Sequence, residues 1–158
     1  MTRYQFPDGF FWGAAASGPQ TEGVTDKPHR SIWDSWFAAQ PERFYQQVGP
    51  QVVCDTYRQY PQDVALMKQT GFNSFRTSIQ WSRLIADFET GAPDAAAVRF
   101  YNDYLDEMIE SGIEPMINLY HFDMPEALQE QYGGFESAHV AELFARFART
   151  AFELFGHK

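Results

Sequence analysis

The run from Ile113 to Tyr120 is almost continuously apolar and predicts a short buried strand. Phe72 to Ile79, directly after Gly71, predicts a second, and the segment Phe11-Trp12-Gly13-Ala14-Ala15-Ala16 holds a third near the start. Between and after them the apolar residues change to a helical period. From Asp55 to Gln69, Tyr57, Tyr60, Val64 and Met67 form one stripe, with Pro61 expected to open a second helical piece rather than sit in a helix interior. From Asp94 to Ser111, Tyr101, Tyr104, Leu105 and Met108 form the buried face, and Asp94 is a candidate N-cap. From Ser137 to Phe155, Val140, Leu143, Phe144, Phe147, Ala151, Phe152 and Phe155 recur as a core-packing stripe. Gly71 and Gly112 stand where a left-handed helix stop is needed.

Strand, helix, strand, helix, strand, helix at this spacing predicts an α/β fold with parallel strands and right-handed crossovers. In such folds ligands gather at the carboxyl ends of the strands. All three predicted ends carry hydrogen-bonding and aromatic residues: Ser17 to Gly23, Arg76 to Arg83, and His121-Phe122-Asp123-Met124-Pro125. That combination describes one rim of a sugar site. Residues 18 to 53 form a long irregular stretch with four prolines, Pro19, Pro28, Pro41 and Pro50, which suits a covering or functional segment. Within it Ser31 to Phe37 predicts a short helix whose tryptophans pack the loop onto the body of the fold.

Composition narrows the function classes. The chain has 158 residues, 44% hydrophobic and 17% aromatic, enough for one domain with a real core. Twelve basic against 21 acidic residues give a net charge of -9, so nucleic acid and anionic membrane surfaces are poor partners. Cys54 is the single cysteine; its neighbours Val52, Val53 and Tyr57 predict a small buried thiol, and its usage fits a reducing cytoplasm. The first ten residues lack the pattern of a signal peptide, and no run is long enough to span a bilayer. His29, His121, His139 and His157 have no metal-ligand spacing, and neither a nucleotide-binding glycine loop nor a cofactor motif is present.

From Phe6-Pro7-Asp8-Gly9-Phe10-Phe11-Trp12-Gly13 to Phe155 the chain resembles the glycoside hydrolase family 1 β-glycosidases. The motifs that carry the resemblance are the N-terminal run through Gln20 and Glu22-Gly23, then Ser31-Ile32-Trp33-Asp34, Cys54-Asp55-Thr56-Tyr57, Phe75 to Ile79 and Trp81-Ser82-Arg83. The wording Ser17-Gly18-Pro19-Gln20 is most similar to the bacterial 6-phospho-β-glucosidase branch. The resemblance implies the amino-terminal part, about three βα units, of a TIM-type (β/α)8 barrel: a single incomplete domain over 1–158. It implies that Gln20 and His121 bind hydroxyls of the glycone, that Phe122 stacks on it where many members carry tryptophan, and that Arg76 supports the nucleophilic carboxylate. An amide and an imidazole suit sugar hydroxyls because each offers both a donor and an acceptor. Arg83 reads as a structural ion-pair partner, and Glu22 as support for the loop. No cofactor is implied; the expected ligand is a β-glucoside or a phosphorylated β-glucoside, in the cytoplasm.

A retaining glycosidase needs two carboxyl groups ~5–5.5 Å apart. In the family the acid/base glutamate lies in Asn-Glu-Pro at the end of strand four and the nucleophile on strand seven, and neither motif occurs here. The expectation is a chain cut before strand four and catalytically inactive alone. Two alternatives stand beside it, a barrel piece that only binds sugar and one half of a split enzyme. Open barrel edges are expected to make the isolated chain self-associate.

Overall fold

The computed structural model describes residues 3–158. In chain order the elements are β1 (Gly13–Ala15), α1 (Gly18–Thr21), α2 (Ile32–Ala39), α3 (Thr56–Gln69), β2 (Ser74–Ser78), α4 (Trp81–Leu84), β3 (Ile85–Asp87), β4 (Ala92–Pro93), α5 (Ala95–Glu110), β5 (Glu114–Asn118), α6 (Glu126–Tyr132) and α7 (Ala138–Phe155), with short 3-10 turns between some of them. The sheet has the order β1-β2-β5 and is parallel throughout, with Gly13 opposite Ser74 and Ser74 opposite Glu114. That register puts the carboxyl ends of all three strands at one rim. The crossovers α3 and α5 supply the parallel connections, and β3 and β4 form a small antiparallel hairpin outside the main sheet.

Gly13 is required by the approach of β1 to β2. A Cβ at this position would lie 1.8 Å from the Ser74 carbonyl oxygen. Helix starts follow simple chemistry. Asp94 accepts hydrogen bonds from the amides of Ala96 and Ala97, both at 2.9 Å, and Ser31 with Asp34 forms a capping box at α2. Gly71 and Gly112 both take positive φ directly after their helices. Ser137 occupies the N-cap of α7 without a side-chain bond.

The core lies between the sheet and the helices. Val64, Phe75, Phe100, Tyr104, Leu105 and Met108 fill it from α3, β2 and α5, and Trp81 stacks on Phe147 of α7 at 5.5 Å between ring centroids. Among the described residues no helix is long and apolar enough to cross a membrane.

Several expectations are corrected. Pro61 sits inside a continuous α3. It is five residues past the helix start and on the exposed side, so the helix continues through it. Cys54 is exposed. Its turn carries left-handed backbone at Val53 and Asp55, which breaks the periodicity that would have turned the thiol inward. Phe152 is also exposed rather than core. The inward side of α7 is filled by Leu143, Phe147, Ala151 and Phe155, and Phe152 flanks a groove shared with Ile117 and Leu119 of the β5 segment. The stretch 18–53 is less irregular than expected, since it contains α1, α2 and two 3-10 turns.

One buried network fastens that stretch to the sheet. Arg83 and Glu22 are both almost fully buried, with Nε donating to Oε2 at 2.7 Å. The other two guanidinium nitrogens donate to the carbonyls of Thr25 and Gly23, each at 2.7 Å, and the cation lies 4.6 Å from the Tyr57 ring centroid. Glu22 also accepts from Gln80 Nε2 at 2.7 Å and from the Tyr101 hydroxyl at 3.1 Å. Lys27 bonds both Gln80 and Asp34, extending the network to α2. Gly18 leaves the room for it, since a Cβ there would meet Gln80 Cγ at 2.5 Å and Glu22 Oε1 at 2.7 Å.

Removing one member of a buried ion pair strands the other. Glu22→Ala is expected to cost ~3–5 kcal/mol, while Glu22→Leu combined with Arg83→Met recovers most of that loss. Urea unfolding of the two variants beside the unaltered chain checks it; a double variant no better than Glu22→Ala would contradict the assignment.

Candidate functional site

At the rim of the sheet, a cleft of about 520 Å³ is lined by Gln20, His121 and Phe122 together with apolar residues that include Trp33, Phe44 and Val53. Gln20 and His121, separated by 100 residues of chain, therefore open onto one space. The short α1 turn carries Gln20 there directly from the end of β1, and the Gly18 amide donates to Ser78 Oγ at 2.8 Å, tying that turn to the end of β2.

Gln20 Oε1 accepts from the Ser17 hydroxyl at 2.8 Å, which leaves its amide NH2 without a partner among the described residues. His121 follows β5 and is half-buried. Burial, with the nearby charge of Arg76, lowers its pKa below the usual imidazole value, so the ring is neutral at pH 7. A neutral imidazole presents one N–H and one lone pair, which suits a hydroxyl. The Phe122 ring is 64% exposed and stands edge-on to His121 at 5.3 Å. An exposed aromatic face beside free donors and acceptors is what a sugar ring needs: its C–H face packs on the aromatic while its hydroxyls bond the rim.

Arg76 does not line the cleft. It is half-buried on β2, with Nη1 donating to the Ala16 carbonyl at 2.7 Å, and its charge acts on the His121 ring. Trp33 was expected to serve packing, yet it also forms part of the cleft lining and packs at a tilt against Trp36, 5.4 Å between ring centroids. The turn after α2 carries Phe44 to the same place, where it meets Trp36 at 4.9 Å.

Sequence reasoning passed over Asp123. It is fully buried, and its carboxylate accepts from the backbone amides of His121 at 2.9 Å and Trp81 at 3.2 Å. Burial pushes its pKa up to about 6 against these two hydrogen bonds, and the charge of Glu22 adds to the rise. An acidic residue inside an otherwise apolar and turn-forming segment, Phe122-Asp123-Met124-Pro125, was the available signal.

Comparison with known proteins addresses the family and the fold. The model of the family described as glycosyl hydrolase family 1 matches residues 2–158. The 6-phospho-beta-glucosidase GmuD of Bacillus subtilis (strain 168) is 47% identical over 156 residues, which is 98% of this chain and 33% of that protein. Beta-glucosidase 26 of Oryza sativa subsp. japonica is 41% identical over 100% of this chain and 31% of its own length. Among solved structures, an aphid myrosinase superposes with a TM-score of 0.88 at 30% identity, covering 97% of this chain and 33% of that one. The fold is therefore the amino-terminal portion of a (β/α)8 barrel, and the chain spans about a third of the length of the relatives it matches.

Because the folded chain holds the Asp123 proton more tightly than the unfolded chain, this group contributes most stability below the ordinary carboxylate pKa. That contribution is lost as pH rises through about 6. Relative to Asp123→Asn, the unaltered chain is expected to lose about 2 kcal/mol between pH 4 and pH 7. Urea unfolding of both across that range gives the difference; a constant or rising one would contradict the burial argument.

Proposed function

This chain is a member of glycosyl hydrolase family 1, and from that premise we propose that it is the sugar-facing amino-terminal part of a retaining β-glycosidase. The substrates are β-glucosides, in particular 6-phospho-β-glucosides, hydrolysed in the cytoplasm. The observation that carries the reading is the meeting of Gln20, His121 and the Phe122 face at one cleft. The 47% identity to a 6-phospho-beta-glucosidase supports the phosphorylated class, and the single cysteine supports a reducing compartment.

In this mechanism the glycone rests on Phe122 while Gln20 donates to one of its hydroxyls and neutral His121 both donates and accepts. Arg76 holds a neighbouring carboxylate ionised and oriented. Double displacement needs two carboxyl groups, one forming the glycosyl-enzyme and one moving the proton. None of the three buried carboxylates is free for this, Asp34 being bonded to Lys27 and Ser31. Glu22 is bonded to Arg83, Gln80 and Tyr101, and Asp123 is turned onto backbone amides. Both reacting carboxylates are therefore assigned to residues outside these 158, and the chain alone binds without turnover.

Hydrolysis of p-nitrophenyl β-glucoside and of its 6-phosphate tests this. The chain alone is expected to release no nitrophenol above background. The chain extended with the remaining two-thirds of the Bacillus subtilis relative is expected to hydrolyse the phosphorylated substrate preferentially. In that form Gln20→Ala and His121→Ala should each lower kcat/KM on the order of a hundredfold, since each leaves a substrate hydroxyl without its partner. Turnover by the chain alone, or an extended enzyme indifferent to both substitutions, would sink the proposal. The free edges of β1 and β5 are expected to make the isolated chain associate. Light scattering should show a mass above 18.2 kDa, and a sharp monomer would contradict it.

A further inference from the structure

The segment that follows β5 is held in a conformation its own sequence does not favour. Phe122 has φ +59, a left-handed backbone that a bulky aromatic residue rarely adopts. Such strain persists only where the surroundings over-determine it. Two sets of contacts do so here. Ahead of the segment's end, Asp123 accepts the His121 amide with Oδ1 and the Trp81 amide with Oδ2, so one carboxylate clips the end of β5 to the start of α4. Behind it, the Met124 carbonyl accepts from the Ile32 amide and the Arg30 carbonyl from the Glu126 amide, each at 2.9 Å.

We propose that Asp123 is a positioning residue of the sugar rim: its carboxylate, through the amides of His121 and Trp81, fixes the left-handed turn that faces both His121 and Phe122 into the cleft. This rests on the glycosidase reading for its functional consequence, while the geometry stands on its own. The carboxylate is suited to the task because both its oxygens are acceptors. An asparagine of the same shape has one acceptor and one donor, so one of the two amides would face an N–H and lose its bond. The same residue carries a cost in stability. A buried charge near Glu22, with Tyr120 and His121 on its own segment, is unfavourable to folding, and its removal offsets the hydrogen bond lost with it. A residue kept for stability alone would not show that balance.

Two arms test the assignment. In the chain itself, amide NMR of the unaltered protein across pH 4 to 8 is expected to show the His121 and Trp81 amide protons shifting together, with one midpoint. Independent or absent shifts would overturn the proposal, and this arm needs no variant to fold. In the extended enzyme, Asp123→Asn is expected to keep the thermal midpoint at pH 7 within a few degrees while kcat/KM falls on the order of tenfold to a hundredfold. Introduced into His121→Ala, the same substitution should cost far less, because part of what Asp123 positions is already gone. A variant with kcat/KM within threefold of the parent, or losses that simply multiply, would overturn it. If the extended enzyme hydrolyses no β-glucoside but the two amides titrate together, the glycosidase reading falls and the positioning of the turn stands.

Discussion

The structure depends first on the burial of Arg83 against Glu22. Taking two opposite charges out of water is costly, and the pair is tolerable only when nearly every remaining donor and acceptor is satisfied. Here that condition is met by backbone as much as by side chains. The guanidinium gives its two terminal nitrogens to the carbonyls of Gly23 and Thr25, and the carboxylate takes Gln80 and Tyr101 in addition to the cation. The groups come from four separate places: the loop after β1, the turn after β2, α4 and α5. The covering stretch 18–53 makes most of its backbone bonds within itself, and this knot is what seats it on the body of the fold. Gln20 stands two residues before Glu22, so the placement of an amide on the cleft lining follows from the placement of a buried ion.

The rim is thus a polar layer laid over an apolar core, and each of its side chains is held from behind. Gln20 leans on Ser17, His121 is turned by the Asp123 clip, and Arg76 is bound to the Ala16 carbonyl. This arrangement keeps binding groups on strand ends and short turns, where they lose little freedom when a ligand arrives. It also explains why the strain at Phe122 is tolerated. The turn is fixed on one side by a carboxylate and on the other by a bridge to Ser31, so relaxing it would break bonds at both ends.

The sequence displays the scaffold more openly than the site. The helix stripes of α5 and α7 and the strand before His121 follow from hydrophobic period, because burial against a sheet imposes it. Pro61 misled because a proline's cost depends on which side of the helix it faces, and that is a tertiary fact. Cys54 and Phe152 misled for a related reason: apolar neighbours do not say which way a turn or a helix flank is pointing. Gln20 and His121 were singled out through motifs, and the structure places both on the cleft lining, whereas Asp123 escaped because its partners are backbone amides, one of them 42 residues away, and backbone partners leave no pattern in side-chain identity. Trp33 lay in a recognised motif, but its position on the cleft wall depends on how the covering loop folds back.

The lining of the cleft bears on what can bind. It offers an amide, an imidazole and an aromatic face, a set suited to neutral hydroxyls, together with the apolar Trp33, Phe44 and Val53. Among the described residues no lysine or arginine lines this cleft, and the chain as a whole carries -9. A phosphate on the sugar would therefore receive little from the groups assembled here and would be repelled at long range by the surrounding charge. On the glycosidase reading proposed above, selection between a glucoside and its 6-phosphate would rest on cations from other parts of the barrel, with these strands supplying the recognition that both substrates share. The division follows from the order of a barrel, in which a ring-shaped ligand is contacted by successive strand ends around its rim.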